Sequence, residues 1–166
     1  MIWVAQMLGL LSFALGIACF YQQQDLRLKQ LMVLLNINNA LHFFLLGGIT
    51  ACLSSLISAL RNTLAIKFQS AWLATLFIAI TLVLGLPLIH HPADWLPLLG
   101  SCIGSYAVFC CTGIKLRGIF LLGALCWLLN NIWLGSIGGT LLETMLLITN
   151  LRTIYLLRKQ TGLINT

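Results

Sequence analysis

Residues 39–61 read NALHFFLLGGITACLSSLISALR and residues 130–152 read NNIWLGSIGGTLLETMLLITNLR, so one motif occurs twice in the chain. Gly47 and Gly48 fall on Gly138 and Gly139 at a separation of 91 residues, and Arg61 falls on Arg152 at the same separation. The register runs backwards without a gap, placing Asn39 on Asn130, Leu31 and Leu34 on Leu122 and Leu125, Cys19 on Cys110, and Leu8-Gly9 on Leu99-Gly100. A repeat this long restricts the fold to two copies of one unit.

The unit has to suit a bilayer. The 166 residues are 60% apolar and 7% charged, with a mean hydropathy of +1.02, which leaves too little polar surface for a water-soluble domain. A spanning helix needs about 20 mostly apolar residues. Seven such stretches are read, at residues 2–20, 30–46, 49–66, 71–89, 95–111, 116–134 and 140–157. No Lys or Arg precedes the first, so it is expected to be a retained span and not a cleaved signal peptide.

The expected architecture is an all-α, polytopic membrane protein of three plus one plus three helices. Residues 1–68 form the first three-helix repeat, 69–91 a linker helix, and 92–166 the second repeat with a short tail. A unit with an odd number of spans begins and ends on opposite sides, so a second unit in the same orientation requires one extra crossing. The two repeats would then be parallel, related by an axis along the membrane normal. With the N-terminus outside and the C-terminus inside, all nine Lys and Arg fall on the cytoplasmic side, as short loops favour. The net charge of +6 is thereby accounted for by topology, and no nucleic-acid partner is expected. The two Gly pairs are expected to make a tight turn in each repeat at the outer face.

Four short strings, His42 to Gly47 (HFFLLG), His90 to Pro92 (HHP), Phe109 to Cys111 (FCC) and Ser136 to Thr140 (SIGGT), resemble YgjV-type bacterial inner membrane proteins. The resemblance implies a multi-pass protein of the bacterial inner membrane. More distantly, the three-plus-one-plus-three plan resembles the PQ-loop superfamily, which includes the SWEET sugar facilitators and nicotinamide riboside transporters. That likeness implies a SWEET-like fold, but Pro87, Pro92 and Pro97 are not followed by Gln, so the proline-glutamine signature is missing.

Polar side chains concentrate in the second and sixth stretches. Asn39 and Asn130 occupy matched positions near mid-membrane, where paired amides could offer donors and acceptors to a small polar solute. Asn36, His42 and Asn131 are further candidates for that site, and Trp127 could stack on a ring. The competing reading is that these amides hold helices together. Glu143 is the acidic residue inside a stretch and a candidate for gating or proton coupling. Arg61 and Arg152 read as cytoplasmic anchors. The six cysteines lie in apolar segments without metal-ligand spacing, so neither a metal nor a cofactor is expected, and no catalytic residue is assigned. The function expected is a transporter or facilitator of a sugar, nucleoside or vitamin-like solute, working by alternating access, with a homo-oligomer left open. The alternative is a receptor or assembly factor of the same fold that transports nothing. An enzyme would need a convergent acid, base and nucleophile, for which Glu143 and His42 are a thin basis.

Overall fold

In a computed structural model that describes residues 2–21 and 25–164, the chain forms seven α-helices. They are α1 (Ile2–Tyr21), α2 (Asp25–Leu45), α3 (Ile49–Leu64), α4 (Ala71–Gly85), α5 (Trp95–Cys110), α6 (Gly113–Trp133) and α7 (Ile137–Ile164). Each corresponds to one apolar stretch of the sequence. The largest departures are at α2, which begins at Asp25 instead of residue 30, and at α7, which runs from Ile137 to Ile164. Both extensions carry charged or polar residues. Hydropathy marks where a helix is apolar, whereas the hydrogen-bonded backbone continues past that point.

The principal helix neighbours form a closed ring. α1 packs on α2, α2 on α3, α3 on α5, α5 on α6, α6 on α7, and α7 back on α1. α4 lies outside the ring against α5 and α3. It is held there by an apolar cluster of Ile57, Ala65, Ala74, Phe77 and Phe109, in which Phe77 and Phe109 stack with centroids 5.9 Å apart.

The burial pattern is inverted relative to a soluble protein. Large apolar side chains face outward, with Trp3, Met7, Val83 and Leu60 each more than 60% exposed. The buried set is rich in polar residues, including Asn38, His42, Ser54, Ser55, Ser58, Arg61, Asn62, Asn130 and Asn131. An apolar exterior is stable only if hydrocarbon surrounds it, and interior polar groups must then find partners within the protein. Four segments, Ile2–Cys19, Ala71–Leu88, Pro92–Cys110 and Gly113–Trp133, are long and apolar enough to cross a membrane.

The turns correct the expected repeat register. At the α2–α3 turn Gly47 takes φ +81°, and at the α6–α7 turn the residue at positive φ is Gly135, at +67°. The hydrogen bonds match at this offset: Leu46 N donates to His42 O as Leu134 N does to Asn130 O, and Gly48 N donates to Phe43 O as Ser136 N does to Asn131 O. The two turns are thus equivalent at a spacing of 88 residues, and Gly138 and Gly139 are not turn residues but lie in the first turn of α7. Their small size serves packing instead. A Cβ on Gly138 would overlap the backbone of Gly9 on α1, and one on Gly139 would overlap the Asn131 side chain.

Gly138→Ala is therefore expected to force α1 and α7 apart and to cost about 1–3 kcal/mol, as overpacking does. Gly118→Ala in α6, where a Cβ meets open space, is expected to be neutral or to stabilise by up to about 1 kcal/mol. Thermal unfolding of the two variants in detergent compares them directly.

Candidate functional site: a polar cavity inside the helix ring

The ring encloses a cavity of about 200 Å³ lined from α2, α3, α5, α6 and α7. On α2 the lining residues are Met32, Leu35, Asn36, Asn39 and Phe43, and on α6 they are Phe120, Gly123, Ala124, Trp127 and Asn131. Both sets follow the three-and-four spacing of one helix face. Ser55, Ser58, Arg61 and Asn62 line it from α3, and Gly139, Leu142, Glu143, Leu146 and Asn150 from α7. Every lining residue of α2 and α3 except Arg61 has a lining residue 88 positions later, whereas at 91 only Met32, Asn36 and Ser55 do. Asn39 thus lies opposite Trp127, Phe43 opposite Asn131, Ser55 opposite Glu143, and Asn62 opposite Asn150. Pairing unlike residues makes the two walls chemically different.

Several lining groups keep hydrogen-bonding capacity. Asn39 Oδ1 accepts from Ser12 Oγ on α1 at 2.5 Å, which orients the amide and leaves its NH₂ group available. Asn36 Nδ2 donates to Met32 O at 2.6 Å, leaving Oδ1. Asn131 Nδ2 donates to Trp127 O at 2.9 Å, while Asn131 Oδ1 is buried without a partner. An orphaned acceptor in a low-dielectric interior is costly, and this one lies against Gly139 of α7. Phe43 and Trp127 stack across the cavity wall, with ring centroids 5.7 Å apart and planes 20° apart. Gly100 lets the Trp127 indole approach α5, since a Cβ there would lie 2.8 Å from Nε1.

Two charged residues line the same space. Arg61 is 7% exposed and points into the ring, where Nη1 donates to Ser101 O at 3.1 Å and Ser105 Oγ at 3.3 Å, and Nε donates to Asn62 Oδ1 at 3.2 Å. A Cβ on Gly104 would come within 2.8 Å of Nη1, so this glycine makes room for the guanidinium. The expectation that Arg61 anchors the helix end at the membrane surface is thereby corrected. Its side chain finds three neutral acceptors inside the ring and has no need to reach water. Glu143 is partly buried on the opposite wall, and no described residue hydrogen-bonds its carboxyl group.

The end of the ring holding the α2–α3 and α6–α7 turns is tied shut. Gln6 of α1 donates to Gly135 O at 2.7 Å and accepts from Ile137 N at 3.1 Å. Asp94 accepts from His90 N and His91 N at 3.0 and 2.9 Å and from Thr50 Oγ1 of α3 at 3.2 Å. The His91 ring lies on Trp133 with centroids 4.5 Å apart.

Comparison with known proteins agrees with the inverted burial pattern. The profile of the Imp-YgjV family, described as bacterial inner membrane protein, matches residues 3–161. The chain belongs to this family. The inner membrane protein YgjV of Escherichia coli (strain K12) is 35% identical over 148 residues, covering 89% of this chain and 81% of that one. No solved structure matches the chain. This YgjV-family protein is accordingly a multi-pass protein of the bacterial inner membrane.

Of the side chains singled out from sequence, Asn36, Asn39, Trp127, Asn131 and Glu143 line the cavity, and His42 and Asn130 do not. His42 is fully buried between helices, with Nδ1 2.6 Å from Ala5 O and Nε2 2.7 Å from Ser136 Oγ. Asn130 is 3% exposed and leaves Nδ2 without a partner. The reason is helical phase: at about 100° per residue Asn131 lies near the middle of the face set by Phe120, Gly123, Ala124 and Trp127, whereas Asn130 lies beyond its edge. Asn62, Ser55, Ser58 and Asn150 also line the cavity without being candidates from sequence, and Arg61 is expected from sequence only as an anchor. The three-and-four spacing of Ser55, Ser58, Arg61 and Asn62 was the available signal.

In this YgjV-family protein, His42→Ala is expected to lose two hydrogen bonds and packed volume, lowering stability by about 2–4 kcal/mol. Asp94→Ala removes the acceptor of His90 N and His91 N and the link to Thr50, with an expected loss of about 0.5–2 kcal/mol. Thermal unfolding in detergent measures both, and equal midpoints for His42→Ala and the unaltered protein would contradict the packing role.

Proposed function

We propose that the protein is an inner-membrane transporter or facilitator of a small polar solute, held in the cavity between two three-helix units. The observation that carries this reading is the cavity inside the ring, where the Asn36 and Asn39 amides keep unused hydrogen-bonding capacity beside an aromatic wall around a space of small-solute size. Intramembrane polar groups are costly, and those with unused hydrogen-bonding capacity facing a cavity mark solute pathways. Side chains that served only to join helices would be spent on one another, as Asn38 is on Leu8 O and Ser12 Oγ, at 2.8 and 2.7 Å.

In this reading all seven helices cross the membrane. α1 to α3 and α5 to α7 are parallel repeats, and α4 is the crossing that allows equal orientation. Exchanging each helix of one triplet for its counterpart leaves the order of neighbours around the ring unchanged, which supports such an axis. The Lys and Arg positions favour N-out and C-in, with the tied end outside and the cavity reached from the cytoplasm. Alternating access follows if the ties at Gln6, Thr50–Asp94 and His91–Trp133 break as the opposite end closes.

Proteoliposome uptake of labelled ribose, uridine, lactate, glutamate and ribose 5-phosphate tests this reading. Uptake of at least one is expected, with Asn39→Ala and Asn131→Ala lowering it about ten-fold or more, the loss of one or two buried hydrogen bonds. Asn130→Ala is expected to leave uptake near its original level. Uptake unaffected in both Asn39→Ala and Asn131→Ala would remove the cavity from the pathway, and co-purification of a partner without any flux would favour the receptor or assembly alternative.

A further inference from the structure

Arg61 is the lining residue of α3 that has no lining counterpart 88 positions on, so it breaks the pairing of the two walls. Its guanidinium is permanently cationic and carries five N–H donors. The groups it meets are neutral: the Asn62 amide oxygen, the Ser101 carbonyl and the Ser105 hydroxyl. Nη2 has no partner among the described residues, and Arg61 lines the cavity. A cation buried among neutral dipoles inside the helix ring lacks the counter-charge that burial ordinarily requires.

Among the described residues the surroundings supply further donors and no carboxylate that pairs with Arg61. Ser58 stands one turn before Arg61 on the same face of α3, and no described residue engages its hydroxyl. Asn62 gives its oxygen to Arg61 Nε, which leaves its NH₂ group free. Ser101 Oγ, on the residue whose carbonyl receives Nη1, is buried and unpartnered. Glu143 lines the same cavity without forming an ion pair with Arg61 among the described residues. A guanidinium fork flanked by hydroxyl and amide donors matches an oxyanion.

We propose that the solute held in this cavity carries a carboxylate or phosphate group that binds at Arg61, with Ser58 and Asn62 as supporting donors. This inference rests on the transport reading and narrows its solute class from polar molecules in general to organic anions and zwitterions. Glu143, facing the other end of the solute, accepts from its N–H or O–H groups. The polar amides then select the body of the molecule and Arg61 its charged group.

The test uses full-length protein in phosphatidylcholine nanodiscs, with thermal stability read against acetate, lactate, glycine, glutamate, ribose 5-phosphate and inorganic phosphate. Acetamide, lactamide and ribose are the uncharged comparisons. At least one oxyanion should raise the unfolding midpoint where its uncharged analogue does not. Arg61→Gln should weaken that binding about ten- to hundred-fold, the worth of a charge-assisted hydrogen bond, and Arg61→Lys should restore part of it. Gly104→Ala, which crowds the guanidinium without removing it, should also weaken binding and guards against loss of folding in Arg61→Gln.

Equal stabilisation by charged and uncharged analogues, or oxyanion binding unchanged in Arg61→Gln and Gly104→Ala, would overturn the assignment. A second arm adds phosphatidylglycerol to the nanodisc. Protection by this lipid and by no soluble anion would overturn a soluble solute as the source of the oxyanion. Flux of an uncharged solute that ignores Arg61→Gln would overturn the oxyanion site and leave the transport reading standing. Oxyanion binding without flux in liposomes would do the reverse.

Discussion

The ring depends on how closely α1 and α7 approach at Gly9 and Gly138, where the backbone of one helix occupies the place a methyl group would take on the other. In a bilayer no hydrophobic force drives helices together, because lipid tails are as apolar as leucine. Association relies instead on van der Waals packing and interhelical hydrogen bonds. The Gly9–Gly138 approach supplies the packing, and Gln6 adds its two hydrogen bonds at the α6–α7 turn. His42 binds α1 and the start of α7 together through Ala5 O and Ser136 Oγ, and Gly9 also leaves room for its ring. Without this seam the remaining helices would form an open crescent, and the interior polar groups would face lipid.

The opposite seam, between α3 and α5, is built differently. There Gly104 makes space for the Arg61 guanidinium, which is tied to the α5 backbone and to Ser105. α4 covers the outside of this seam with Phe77 packed against Phe109. One seam is thus sealed by backbone contact and the other by a buried cation with an added helix behind it. This difference gives the cavity its polarity: a donor-rich wall on α3, and a wall on α7 carrying Glu143.

Much of the fold was legible because the bilayer writes it in composition. Seven apolar stretches became seven helices, and positive φ at Gly47 follows from its place after the last apolar turn of α2. The sequence motif aligns at 91 residues, whereas the α2–α3 and α6–α7 turns match at 88. Shifting a helix by three residues moves each side chain by slightly less than one turn, so offsets of 88 and 91 both keep apolar residues in phase. The Gly pairs then decided for 91. They deceived because glycine has two physical uses, turning the chain at Gly47 and admitting a neighbouring backbone at Gly138. The consequence reached the site: Asn130 was matched to Asn39, although Asn131 lines the cavity. Arg61 was missed for a related reason. A single arginine near the end of an apolar stretch has the sequence appearance of an anchor, and the side chain's direction is set by Gly104 and Ser105 on a different helix.

Thiol labelling in membranes reads whether a small solute reaches the cavity and which face of α6 lines it. Single cysteines at positions 39, 127, 130 and 131 of an otherwise cysteine-free protein would be exposed to a small water-soluble thiol reagent in membranes. Asn39→Cys, Trp127→Cys and Asn131→Cys are expected to react, and Asn130→Cys, outside the lining, to stay protected. Rapid labelling of Asn130→Cys with protection at Trp127→Cys and Asn131→Cys would contradict this lining.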